Sequence, residues 1–193
     1  YEAGYCNVTG TENTYFGYGA GGSGAGSTNS HSYNTAIGAN ALISLTTGNY
    51  NTAVGQNALD ELANGSYNVA IGNGALHALD GSEDHNVSIG YNSFNNADGA
   101  QYNVGVGNAV TLSTAAGTNQ IVIGYNAVGQ ADNSVTLGNS SVTNNYLREK
   151  IELKARNDQP AIIELQADNA DNNADIWQIE AGTDGFFQIK HKD

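Results

Sequence analysis

The feature that most constrains this chain is a glycine that returns about every 17 residues. Aligned on a Gly that follows an apolar residue, Gly17, Gly38, Gly55, Gly72, Gly90, Gly107, Gly124 and Gly138 are separated by 21, 17, 17, 18, 17, 17 and 14 residues. The segments that end on them repeat as well: Asn34-Thr35-Ala36-Ile37-Gly38, Asn51-Thr52-Ala53-Val54-Gly55, Asn68-Val69-Ala70-Ile71-Gly72, Asn86-Val87-Ser88-Ile89-Gly90 and Asn103-Val104-Gly105-Val106-Gly107. A second apolar run follows each, as in Asn40-Ala41-Leu42, Asn57-Ala58-Leu59 and Asn92-Ser93-Phe94, and turn signals such as Thr47-Gly48-Asn49, Asn64-Gly65 and Asp80-Gly81 close the unit. A fixed period of this length marks a repeat architecture, because one such unit cannot bury its apolar face alone. Tyr1-Glu2-Ala3-Gly4 matches Tyr18-Gly19-Ala20-Gly21, so the array is expected to continue upstream of Tyr1. The chain also lacks Met and reads as an excised fragment.

Two short strands and two turns per unit describe one coil of a β-solenoid. A helix is disfavoured because Val, Ile, Asn, Gly and Thr dominate, and Gly is costly in a helix. Roughly eight coils stacked at the interstrand spacing give a rod of about 40 Å. A flattened coil of this length has room for one thin seam, assigned to Ile, Val and Leu. The opposite side carries Ala36, Ala53, Ala70, Ser88 and Gly105. Small residues there would permit close approach around a shared axis, so the expected state is a homotrimer. Asn recurs four residues before the Gly, at Asn13, Asn34, Asn51, Asn68, Asn86 and Asn103. Stacked Asn side chains can hydrogen-bond along a ladder and tolerate turn conformations. One place earlier, Tyr33, Tyr50, Tyr67, His85 and Tyr102 form an aromatic column.

Charge divides the chain in two. The net charge over 193 residues is -13, yet all six Lys and Arg lie between Arg148 and Lys192, and residues 1–147 hold nine acids and no Lys or Arg. This argues against nucleic acid as a partner, since phosphate binding needs Lys and Arg. No stretch approaches 18 apolar residues, so no helical membrane insertion is expected. One Cys excludes an internal disulfide framework and a multi-Cys zinc site. The pattern changes after Asn145. Period-2 alternation over 151–155, 161–167, 175–181 and 186–191, with a Gly-Thr-Asp-Gly turn at 182–185 and an Asn/Asp-rich loop at 168–175, predicts a small antiparallel sheet of about four strands. Residues 147–156 also fit a short helix, with Leu147 and Ile151 at i, i+4. The resulting domain organisation is 1–142 for the repeats and 143–193 for the C-terminal module, and a module this small should also need partners to bury its core.

The Asn-Thr/Val-Ala-Ile-Gly-x-x-Ala-Leu unit resembles the head repeats of YadA-like trimeric autotransporter adhesins, and resembles still more the Asn-Thr-x-x-Gly-Tyr-x-Ala-Gly arrays of phage tail fibres. The likeness covers about residues 1–142 and departs at 111–117 and at the Gly/Ser insertion 21–30. The unit Ser134-Val135-Thr136-Leu137-Gly138 resembles the segment that closes phage arrays before a terminal module. The resemblance implies an all-β, trimeric, left-handed parallel β-roll with an adhesive role. On that reading the chain is a virion tail-fibre segment outside the cell, joined to upstream fibre or tail segments and directed at a host-surface glycan or protein receptor. The alternative is a bacterial cell-surface adhesin head.

Candidate chemistry is sparse, and neither a cofactor nor a catalytic set is expected. Gly22-Ser23-Gly24 lacks the strand-to-helix setting of a nucleophile elbow. A tailspike-like glycan depolymerase would need two carboxylates across a groove. The acids Asp60, Glu61, Glu83, Asp84, Asp98 and Asp132 fall mostly in turns and are expected to be solvated. His31, His77, His85 and His191 show no paired ligand spacing, although His85 on a threefold axis could supply three ligands at once. Asp171, Asn173 and Asp175 imitate the start of a calcium loop, but Ile176 replaces its turn Gly. Cys6 reads as a small buried residue. Asn7, Asn64, Asn86 and Asn139 open glycosylation-type triplets, which an Asn-, Ser- and Thr-rich chain yields by chance. Trp177, Phe186 and Phe187 remain as candidate receptor contacts at the tip, or else as core of the small sheet.

Overall fold

Each Gly-terminated motif forms a short strand, and the strands stack in chain order. A computed structural model describes residues 2–22, 29–144, 146, 161–166, 176–181 and 187–192, in two compact units, Tyr1–Thr143 and Asn144–Asp193. The first unit contains β1 (Thr14–Phe16), β2 (Thr35–Ile37), β3 (Thr52–Val54), β4 (Val69–Ile71), β5 (Val87–Ile89), β6 (Val104–Val106), β7 (Gln120–Ile123) and β8 (Ser134–Leu137). All eight lie side by side in one parallel sheet, in motif-on-motif register: Thr35 pairs with Thr52, Ala36 with Ala53 and Ile37 with Val54. The unit is therefore an all-β solenoid of about seven turns with a spacing of about 17 residues.

The recurrent glycine is required at the corner that ends each strand. Gly17, Gly38, Gly55, Gly72, Gly90, Gly107 and Gly124 all have φ between 132° and 143°, a region that favours glycine. A Cβ on Gly38 would stand 2.5 Å from the Gly55 carbonyl oxygen of the next coil. Main chain stacks on main chain here with no room for a side chain.

The coil departs from the expected two strands. The second apolar run is a chain of turns, in which Asn40 and Leu42 have φ of 60° and 54°. Alternate amides in this run bond to neighbouring coils, Asn40 N to Tyr18 O at 2.8 Å and Leu42 N to Ala58 O at 3.1 Å, while Ile43 N bonds locally to Asn40 O. The backbone is satisfied without extension, so one sheet forms and not two.

The assignment of faces is also reversed. Ala36, Ala53, Ala70 and Ser88 are fully buried inside their own coil, whereas Ile37, Ile71 and Ile89 are 38–39 % exposed. Adjacent strand residues point to opposite faces, and only a small side chain fits beneath the sheet because Leu42, Leu59 and Leu76 of the turn run fill the interior. Leu45, Leu62 and Leu79 complete that core.

The asparagine ladder is fully formed. Asn34, Asn51, Asn68, Asn86 and Asn103 are at most 1 % exposed. Each Oδ1 accepts the main-chain N–H of the next rung, as from Asn51 at 2.8 Å and Asn68 at 3.0 Å. Each Nδ2 donates across its own coil to the carbonyl near its end, as from Asn51 to Gly65 O at 2.9 Å. One side chain thus closes its own coil and fastens the next. Gln120 N ends the series on Asn103 Oδ1 at 2.9 Å.

In the second unit, β9 (Ala161–Gln166), β10 (Ile176–Ala181) and β11 (Phe187–Lys192) form an antiparallel sheet in the order β11-β10-β9. The expected strand at 151–155, the loop at 168–175 and the turn at 182–185 lie outside the described residues.

Candidate functional site

Among the described residues, the outer face of the parallel sheet leaves a row of large apolar side chains open to solvent. Register places Thr14, Thr35, Thr52, Val69, Val87, Val104, Ile121 and Val135 in one outward column, and Phe16, Ile37, Val54, Ile71, Ile89, Val106, Ile123 and Leu137 in a second. None of these residues is charged. Phe16 is 75 % exposed, Ile123 40 % and Leu137 55 %. Apart from Thr14, Thr35 and Thr52 the face is apolar, and an apolar area of this extent is uncommon on a surface left in water.

Beside it runs the aromatic column. Tyr33, Tyr50, Tyr67, His85 and Tyr102 have ring centroids 4.8, 5.1, 4.9 and 5.2 Å apart and interplanar angles of 9° or less. All five have φ between 59° and 62°, unusual for aromatic residues. The array imposes it: Tyr50 N bonds to Ser32 O and Tyr67 N to Asn49 O in the preceding coil, while the following Asn enters the interior. The rings cover one another's faces and present edges to solvent. His85 is one plate of this stack. Glu12 stands above Tyr33 in the column, and its charge raises the Tyr33 pKa.

The acids are less uniformly solvated than expected. Glu83 is only 5 % exposed. Its Oε2 accepts Gly81 N at 3.0 Å and its Oε1 accepts Gly99 N at 3.2 Å. The 18-residue spacing in this coil puts Glu83 in the inward column held by Gly48 and Gly65 elsewhere, and the two amides satisfy its carboxylate. Carboxylate oxygens of Asp80, Glu83 and Asp98 lie within 4.8 Å of one another. His77 Nδ1 meets Asp60 Oδ1 at 2.5 Å, with Glu61 3.6 Å from Nε2. The Asp60 hydrogen bond raises the His77 pKa most, partial burial opposes it, and the Asp60 and Glu61 charges add to the rise. Asp132 is held below its ordinary value, first by the Thr118 amide and then by Gln120.

Sequence reasoning missed a polar pair in the first coil, between a half-buried tyrosine and a buried histidine. The Tyr15 hydroxyl lies 2.8 Å from Nδ1 of His31, which is fully buried. Burial raises the Tyr15 pKa and lowers that of His31. The available signal was size: Gly4 and Gly21 stand where later coils have Leu42, Leu59 and Leu76, and Tyr15 stands where they have Ala. A Cβ on Gly21 would come 2.5 Å from Tyr15 Cζ. Cys6 is 6 % exposed, as expected, and Asn86 of the glycosylation-type triplets is buried in the ladder.

The residues proposed for the tip are placed only in part. Trp177 on β10 pairs with His191 and Leu165, and Phe187 on β11 pairs with Ala181, four rungs along the same ladder. Phe186 and the 171–175 loop lie outside the described residues, as does most of the Gly/Ser insertion. Where the array ends, an open depression of about 400 Å³ is lined by Asn126, Val128, Gln130, Thr136 and Asn139.

Comparison with protein-family models, curated proteins and solved structures finds no match to this chain.

Proposed function

We propose that this chain is a structural segment of a homotrimeric adhesive fibre, carried on a virion as a tail fibre and used to attach to a glycan or protein on the host surface. The observation that supports it best is the uncharged outer face, one column of which is apolar along all eight strands while the other passes from Thr to Val and Ile after β3. A single copy leaves these columns in water. Three copies that turn them toward a common axis would bury them in a closed cyclic assembly. The axis would then lie on the Ile and Val side, because the small residues are already used inside each coil. Stacked coils provide reach, and three identical tips raise avidity without stronger individual contacts. Trp177, Phe186 and Phe187 are the candidate receptor contacts on this reading.

Light scattering after size exclusion tests the assembly. The expected mass is three times 20.0 kDa, and a stable monomer overturns the trimer. Fluorescently labelled chain should decorate intact bacterial cells from a panel of species. An assembled trimer that binds none of them overturns the adhesive role alone.

A further inference from the structure

The first coil contains an ionisable group that the repeat does not need. His31 occupies the inward column filled by Gly10, Gly48, Gly65 and Gly117 in other coils. Its ring is fully buried, its Nδ1 is engaged by the Tyr15 hydroxyl at 2.8 Å, and its Nε2 is closed off from solvent without a hydrogen-bond partner. Its carbonyl is fixed from both sides, by Asn13 Nδ2 at 2.7 Å and Asn7 Nδ2 at 3.3 Å, so the ring cannot swing outward while the coil stays closed.

Tyr15 of β1 is the titratable group that faces the ring, edge-on at a centroid distance of 6.0 Å. Glu2 and Glu12 are exposed elsewhere on the first coil and do not act on the His31 titration, whose downward shift comes from burial. No Lys or Arg stands in residues 1–147. A proton on His31 would therefore create a cation in the interior with an N–H that no acceptor meets, a costly arrangement.

We propose that His31 makes the first coil an acid-opened rung. The coil closes over a neutral imidazole, and protonation expels His31 and Tyr15 together, parting β1 from β2 and leaving the edge of β2 unpaired. An unpaired strand edge is a template for another strand, so opening would also expose a site for further β-pairing. The remaining coils stay closed because each interacts only with its neighbours: at the position of His31 they carry Gly48, Gly65, Ala100 and Gly117, and Glu83, whose carboxylate accepts the Gly81 and Gly99 amides.

The direction follows from linkage. The ring titrates below its ordinary 6.5 when the coil is closed, and near 6.5 when it is open. Above 6.5 both forms are neutral and pH has no effect. Below it the open form gains a proton that the closed form refuses. Opening then becomes easier by up to about tenfold per pH unit, until the closed-state value is passed.

Hydrogen–deuterium exchange of the full chain, read by mass spectrometry and corrected for intrinsic rate at each pH, tests this. Between pH 7.5 and 5.5, protection of the Thr14 and Gly38 amides, which bond across β1 and β2, should fall severalfold relative to amides in 51–103. His31→Gln should abolish this difference. Equal loss across all coils, no loss in the first coil, or the same pH response in a folded His31→Gln variant would each overturn the proposal. Should the variant leave the first coil open at pH 7.5, the His31 ring resonance of the unmutated chain decides. A titration midpoint below 6.5 supports the rung, and one at or above 6.5 sinks it.

Discussion

The first coil and the coils that follow share one frame and differ in what fills it. In the coils of β2 to β4, Ala36, Ala53 and Ala70 lie beneath the sheet, and Leu42, Leu59 and Leu76 occupy the space below them. In the first coil Tyr15 reaches through both places, Gly4 and Gly21 withdraw, and His31 satisfies the Tyr15 hydroxyl. The same exchange recurs between the coils of β5 and β6, where Phe94 is accommodated by Gly105, whose Cβ would come 2.6 Å from the ring. The comparison separates two kinds of constraint. The glycine corner and the asparagine ladder fix how main chain stacks on main chain and vary little. The interior answers only to total volume shared between adjacent coils, which interiors hold tightly.

The frame should therefore be the most sensitive part. Gly55→Ala places a Cβ 2.5 Å from the Gly72 carbonyl carbon at φ 135°. The contact can be relieved only by parting β3 from β4. Strained backbone and overpacking together cost about 4 kcal/mol, which should lower the melting temperature by about 10 °C in calorimetry. A loss below 2 °C would show that the corner tolerates a side chain and that its glycine is not structural. Next comes the ladder. Asn68→Ala leaves the Asn86 N–H and the Glu83 carbonyl without partners, at a cost of about 3 kcal/mol. Asn73→Ala on the exposed surface, where Nδ2 reaches Gln56 Oε1 at 3.3 Å, should change stability by about 0.5 kcal/mol or less. Equal effects at the two sites would dissolve the distinction between a buried ladder and a decorative one.

This division also explains what could be read from the sequence. The period, the glycine corner and the asparagine and aromatic columns are main-chain constraints, repeated at nearly every coil, and their positions disclosed a β-solenoid of stacked coils. Which side faced inward was not legible. Alternation says that Ala36 and Ile37 point apart, but not which of them meets the Leu42 run, and apolarity alone favoured the wrong one. That the turn run is not a strand depends on left-handed φ at Leu42 and Leu59, residues with no local preference for it. Tyr15 and His31 were missed because their fit spans coils, so the informative quantity was the sum of two columns and not either one. Glu83 followed the same logic, since a one-residue insertion changed which residue faced the interior.

Volume sharing can be tested directly. Gly21→Leu alone overpacks against the Tyr15 ring, a change that costs about 1–3 kcal/mol. Tyr15→Ala alone leaves a cavity and removes the His31 partner, at about 3–5 kcal/mol. Leu42 already adopts φ 54° at the position equivalent to Gly21, where φ is 63°, so leucine fits the backbone there. The double variant rebuilds the fill of a regular coil and should be more stable than additivity allows, by about 2 kcal/mol. Strict additivity in urea denaturation would mean that the two columns do not share one space.

The smallest effect concerns the surface, where neighbouring coils are joined by charge and not by volume. His77 and Asp60 stand one coil apart at 2.5 Å, with Glu61 at 3.6 Å, and the His77 side chain is 44 % exposed. The hydrogen bond to Asp60 holds the folded pKa above the ordinary 6.5. The sign is thus opposite to that of His31: the pair contributes its full stability below 6.5 and loses it as pH rises through the folded value. Solvent screening limits the contribution to about 1 kcal/mol or less. Asp60→Asn should return the His77 midpoint toward 6.5 in an NMR titration and flatten its part of the pH–stability curve, while exchange protection in the first coil keeps its own dependence. Should the midpoint stay raised in that variant, Glu61 and not Asp60 would be the group that holds the proton on His77.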